Sequence, residues 1–126
     1  VDLQQKTFQG GIKTAAGKGR IVPIHPKILP FVQAWAQHGH KYLITADGKK
    51  LSKQKYYECW AEVMDRIGAD KTPHEARHTF ETSLDNAKAN RKCIDLLMGH
   101  KSKDVGNRVY NHKTLEQLRE TILLLK

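Results

Sequence analysis

The sequence predicts a mainly α-helical fold of the α+β class, with one small antiparallel β-hairpin near the N-terminus. Three observations predict it. Apolar residues recur at helical spacing in successive segments after Ser52, and glycines close two of them. Two segments open on a capping-box pattern, Thr72-x-x-Glu75 and Thr114-x-x-Gln117. Two short strand-like runs flank a glycine-bearing reversal close to the start of the chain. At 126 residues the chain has the length for one domain, residues 1–126, and one modest core.

The elements follow in order. Thr7 to Lys13 and Arg20 to Ile24 read as strands, joined by Thr14-Ala15-Ala16-Gly17-Lys18-Gly19, whose glycines suit a reversing loop. Pro26 introduces a helix that ends near His38, with Gly39 as its stop. Tyr42 to Ile44 reads as a short strand and Asp47-Gly48 as a turn. Ser52 caps the next helix, whose stripe is Tyr56, Trp60, Val63, Met64 and Ile67, and Gly68 ends it. Thr72 is the N-cap of a helix running to about Asn86, with Ala76, Phe80 and Leu84 on its buried side. Another helix spans about Asn90 to Met98, with Ile94, Leu97 and Met98 inward and Gly99 as its stop. A short helix or turn leads through Tyr110. Thr114 then opens the last helix, with Leu115, Leu118, Ile122 and Leu125 as its stripe.

Composition narrows the partners. Net charge is +9. Residues 1–70 carry 11 Lys/Arg against 6 acids, and residues 71–126 carry 11 against 7, so the excess is spread along the chain. A basic folded domain of this kind most often meets a polyanion, and nucleic acid is the commonest one. No apolar run is long enough to cross a bilayer, and no signal peptide opens the chain. The two cysteines, Cys59 and Cys93, imply no disulfide framework and fit a reducing cytoplasm. The chain starts on Val1 without Met, as a fragment of a longer protein would.

Several residues could carry chemistry. His74 and Arg77, three apart behind Pro73, lie on one face of a helix's first turns. A helix N-terminus favours an anion, arginine adds a fork for phosphate oxygens, and histidine moves protons near neutral pH. The plain alternative is a surface His beside an Arg paired with Glu81. His100 follows Leu96-Leu97-Met98-Gly99 on a loop, where it could also simply satisfy helix carbonyls. Tyr110 could attack phosphorus if a base and cationic neighbours assist, although most tyrosines only pack a ring and wet a hydroxyl. Lys13, Lys18 and Arg20 make the hairpin basic. Lys13 could protonate a leaving oxygen or touch backbone phosphate, while Lys18, Arg20, Lys101 and Lys103 are candidates for DNA contacts.

The order of these pieces resembles the tyrosine recombinases of the phage-integrase type. The matching stretches are Ile12-Lys13-Thr14 with Arg20-Ile21-Val22-Pro23-Ile24-His25-Pro26, Thr72 to Phe80 (TPHEARHTF), Leu97-Met98-Gly99-His100 and Arg108 to Thr114 (RVYNHKT). The resemblance implies a helical catalytic domain acting in DNA integration and recombination for a phage or mobile element. Tyr110 would form a 3′-phosphotyrosine link to double-stranded DNA, with His74 assisting proton movement, Arg77 and His100 holding the phosphate, and Lys13 protonating the 5′-oxygen. It implies neither metal nor cofactor, a cytoplasmic location on DNA, and a C-terminal helix that docks on a neighbouring protomer. Two departures stand out. The family uses a further arginine ahead of the hairpin strand, yet the first arginine here is Arg20. The segment alone is therefore expected to bind DNA weakly and cleave poorly. The turn between the two central helices usually carries glycine where this chain has Lys88, which must then take the left-handed conformation or shift the turn.

Two other readings compete. A non-catalytic helical DNA-binding module explains charge and helices but leaves His74, Arg77, His100 and Tyr110 as coincidence. A metal site from His38, His40, Cys59 or Cys93 is disfavoured: His-Gly-His lacks the usual zinc spacing, and the cysteines lie 34 apart.

Overall fold

The computed structural model describes residues 1–11, 17–100 and 112–126. The order of elements is β1 (Thr7–Gly10), β2 (Arg20–Pro23), α1 (Leu29–Gln37), β3 (Thr45–Ala46), β4 (Lys49–Lys50), α2 (Lys53–Arg66), α3 (Pro73–Asn86), α4 (Arg91–Met98) and α5 (His112–Ile122). The fold is mainly α with small antiparallel strand pairs, as the sequence predicts. The chain divides into two compact units, one of Val1–Leu29 with Phe80–Lys126 and one of Pro30–Thr79.

The first unit holds the core. Leu84 from α3 packs with Cys93, Ile94, Leu97 and Met98 from α4 and with Leu118 and Ile122 from α5. Val22 on β2, Phe80 and Leu125 close over this cluster. β1 and β2 pair antiparallel with Phe8 opposite Val22 and Gly10 opposite Arg20. Polar contacts tie α5 and its tail to the N-terminal segment. Arg119 donates to the Gln5 carbonyl at 2.8 Å, and His25 Nε2 donates to the Leu125 carbonyl at 3.1 Å. β1 stops at Gly10, whereas the sequence suggested a strand to Lys13; residues 12–16 lie outside the described residues.

α3 and α4 end in the same motif. At α4, the Gly99 N–H donates to the Leu96 carbonyl and the His100 N–H to the Asp95 carbonyl, with Gly99 at φ 68°. At α3, Lys88 donates to Asp85 and Ala89 to Leu84, with Lys88 at φ 56°. This is the Schellman arrangement, in which the residue past the helix is left-handed and the next one packs back on the last turn. Lys88 thus keeps the turn in place by accepting the left-handed conformation rather than shifting it. A side chain pays of the order of 1 kcal/mol for that where glycine does not.

The second unit is built differently. Ser52 caps α2 by accepting from the Lys55 N–H at 3.1 Å. The α2 stripe was expected to face a core, yet α2 has no buried residue, and Val63 and Ile67 are 50% and 64% exposed. Helical periodicity reports that a helix is two-faced, and it does not say that the apolar face is covered. Ala76 is likewise exposed rather than buried, since the covered face of α3 lies further on, at Phe80 and Leu84. The strand expected at Tyr42–Ile44 is displaced to Thr45–Ala46. Asp47 and Gly48 have φ of 51° and 74°, which makes a two-residue hairpin turn closed by Ala46 and Lys49. In the last helix, α5 begins at His112, two residues ahead of Thr114, so Thr114 is not its N-cap. No breaker separates His112 from Thr114, and the helix extends through them.

Candidate functional site

The capping box at the start of α3 forms as a closed ring of hydrogen bonds. The Thr72 N–H donates to Glu75 Oε2 at 2.8 Å, and the Glu75 N–H donates to Thr72 Oγ1 at 3.2 Å. The Thr72 hydroxyl donates in turn to Glu75 Oε2 at 3.0 Å. These bonds from Thr72, backbone first, hold the Glu75 carboxyl below its ordinary value, with Lys71 nearby adding a smaller push in the same direction. Pro73 takes the first helical position, where no N–H is needed. The result is a rigid frame that fixes the rise of the helix on which His74 and Arg77 stand.

His74 is exposed and Arg77 half-buried. His74 Nε2 lies 3.0 Å from Nε2 of His78, the rings edge to face with centroids 4.5 Å apart. One Nε2 therefore carries a proton and donates it to the other. His78 was not singled out from the sequence. Its signal was available, since residues four apart on a helix are neighbours.

His100 belongs to the first unit and is exposed just past Gly99. Its Nδ1 lies 3.9 Å from both Glu81 Oε1 and Asp95 Oδ1. The same carboxylates hold Arg91, at 2.7 Å from Glu81 and 3.1 Å from Asp95. The hydrogen bond that Arg91 donates to Glu81 leads in raising the Arg91 pKa. His100 thus sits at the edge of a charge network that fastens α3 to α4.

The basic hairpin meets the turn that carries His100. Arg20 Nη1 donates to the Met98 carbonyl at 3.1 Å. A Cβ at Gly99 would lie 2.7 Å from Arg20 Nη1 and 2.9 Å from Gly17 Cα, so glycine is required both for φ and for this approach. Arg20, read from the sequence as a candidate DNA contact, here has a structural task, closing the end of α4. Lys18 is exposed beside it. Lys13, Lys101, Lys103 and Tyr110 lie outside the described residues.

Cys93 is buried in the core and Cys59 is exposed on α2. Among the described residues no group of three or more His, Cys, Asp or Glu is placed to hold a metal ion. Among the described residues, too, no helix is long and apolar enough to cross a membrane.

Residues 1–117 match the phage integrase family. The chain belongs to that family. Among similar curated proteins, tyrosine recombinase XerD of Yersinia pestis is 24% identical over 134 residues, covering 94% of this chain and 44% of that protein. Tyrosine recombinase XerC of Proteus mirabilis is 29% identical over 132 residues, covering 94% and 41%. Tyrosine recombinase XerA of Thermococcus onnurineus is 30% identical over 110 residues, covering 82% and 39%. The chain spans less than half the length of these relatives. No solved structure matches it.

Proposed function

We propose that this chain is the C-terminal part of the catalytic domain of a tyrosine recombinase that cuts and rejoins double-stranded DNA at specific sites. The observation that carries the reading is the family match across residues 1–117, a range that includes His74, Arg77, His100 and Tyr110. Both compact units serve this one catalytic domain, acting on DNA in the cytoplasm.

In this reading the Tyr110 hydroxyl oxygen attacks a backbone phosphorus and the bond to the 5′-oxygen breaks. His74 takes up the tyrosine proton and Lys13 delivers a proton to the 5′-oxygen, leaving a 3′-phosphotyrosine link and a 5′-hydroxyl. Arg77 and His100 neutralise the non-bridging oxygens, and a 5′-hydroxyl of another strand reverses the step. The phosphodiester is conserved in the link, so rejoining needs no external energy source. The chain's +9 charge suits the DNA backbone, with Lys18, Arg20, Lys101 and Lys103 as contacts. Within these 126 residues Arg77 alone fills an arginine position of the family's phosphate clamp, so this segment by itself should cleave poorly.

The exposed Leu123 and Leu124 past α5 are the surface through which a neighbouring protomer would be met. Leu118 and Ile122 belong to the core, so removing the helix would damage the fold rather than test docking. A Leu123→Ser, Leu124→Ser variant is the cleaner probe. It should lower the mass of the DNA-bound assembly in light scattering, and an unchanged mass would count against docking.

The catalytic reading is tested on the full-length protein with labelled nicked DNA carrying its recombination site. A protein–DNA band should survive denaturing electrophoresis and vanish in Tyr110→Phe. DNA binding without any such band would leave only the helical DNA-binding module.

A further inference from the structure

The first turns of α3 read His74-Glu75-Ala76-Arg77-His78, with two histidines four apart on one helix face. That spacing is how helical metal sites present a pair of imidazoles. The two Nε2 atoms are 3.0 Å apart. Imidazole–metal bonds of about 2.0–2.1 Å place two ligand nitrogens about 3.0 Å apart at a right angle and about 3.4 Å apart at the tetrahedral angle. We propose that His74 and His78 form a two-nitrogen clamp for a transition-metal dication, with Cu²⁺ and Ni²⁺ favoured over Zn²⁺ by the right-angle spacing.

The ion would take the place of the proton now shared between the rings, both of which would carry their remaining proton on Nδ1. The helix N-terminus and the neighbouring Arg77 oppose a positive charge, so only ions with a strong preference for imidazole should bind, and the oxygen-seeking Mg²⁺ and Ca²⁺ should not. Glu75 is committed to Thr72 through both its carboxylate and its N–H, which leaves it no freedom to act as a base on a metal-bound water. The clamp binds without hydrolysing anything. Its consequence is occupancy of His74, which makes the ion a competitor of any DNA chemistry that needs this ring. The clamp itself stands on α3 alone, independently of the recombinase reading.

The test is calorimetric titration of Cu²⁺, Ni²⁺, Zn²⁺ and Mg²⁺ into the purified 126-residue protein. The comparison is with His74→Ala, His78→Ala and a His38→Ala, His40→Ala double variant, each checked for helix content by circular dichroism. His38 and His40 are the obvious rival pair, with rings 6.1 Å apart. One Cu²⁺ should bind per chain, weakened about tenfold or more in either α3 variant as a chelate becomes a single ligand, and unchanged in the double variant. Equal Cu²⁺ affinity in His78→Ala, loss of binding in the double variant, or no binding in the unaltered chain would each overturn the clamp. No DNA enters this measurement, so its failure would leave the recombinase reading where it stands.

Discussion

Residues 1–29 and 80–126 bury Leu84, Ile94 and Leu118 completely, whereas residues 30–79 bury Val32 and leave Phe31, Trp35, Val63 and Ile67 in solvent. Both units contain helices with an apolar stripe, but those of α4 and α5 are buried and that of α2 is not. In the first unit α4 and α5 close over the end of α3, and α5 also packs on β2. In the second, α2 is held by its Ser52 cap and by a hydrogen bond from Trp60 Nε1 to the Lys71 carbonyl, without a buried stripe. The first unit should therefore carry the stability of the fold, and the second should tolerate change on its apolar surface.

The largest expected effect is at Ile94, which is fully buried among Leu84, Leu97 and Leu118. Ile94→Ala should cost about 2–5 kcal/mol in denaturant unfolding, the usual range for a cavity in a packed core. A loss under about 1 kcal/mol would mean that the two units are not so different.

Smaller and opposite in sign is Lys88→Gly. Relief of the left-handed strain at φ 56° should stabilise the protein by about 1 kcal/mol and raise its melting temperature. The α4 end offers the contrast, because Gly99→Ala should destabilise through both strain and the contact with Arg20.

The second unit's frame has a pH signature. Glu75 titrates below its ordinary value when folded, so its contribution is complete above that value and is lost as pH falls through the lowered one. Thermal melts of the unaltered protein and Glu75→Gln should differ at neutral pH and converge in acid. A difference that persists at low pH would remove the capping carboxylate from the account.

The smallest effect is expected at Ile67, which is 64% exposed. Ile67→Lys should change stability by no more than about 0.5 kcal/mol, as at most surface positions. A loss comparable to that of Ile94→Ala would show that the α2 stripe is covered after all.

Much of this was legible in the residues. Caps and stops speak through one or two side chains, so Ser52, Thr72, Glu75 and Gly99 were readable and the structure repeats them. So was the need for an unusual backbone at Lys88. Coverage of an apolar face depends on residues far along the chain, which is why the α2 stripe and Ala76 misled. The Asp47-Gly48 turn was visible, but the register of its hairpin follows from turn geometry, and that moved the strand to Thr45. In the candidate site, the capped helix that carries His74 and Arg77 was readable from Thr72 and Glu75. The closure of the α4 end by Arg20 was hidden, because its partner lies 78 residues away.

The most direct test of the proposed chemistry is to locate the DNA linkage within the protein. The full-length protein is trapped on its DNA, digested with nuclease and protease, and the nucleotide-bearing peptide is sequenced by mass spectrometry. Of the chain's four tyrosines, the account predicts that Tyr110 carries the nucleotide through its phosphate. A nucleotide on Tyr42, Tyr56 or Tyr57, or on no tyrosine at all, would contradict it.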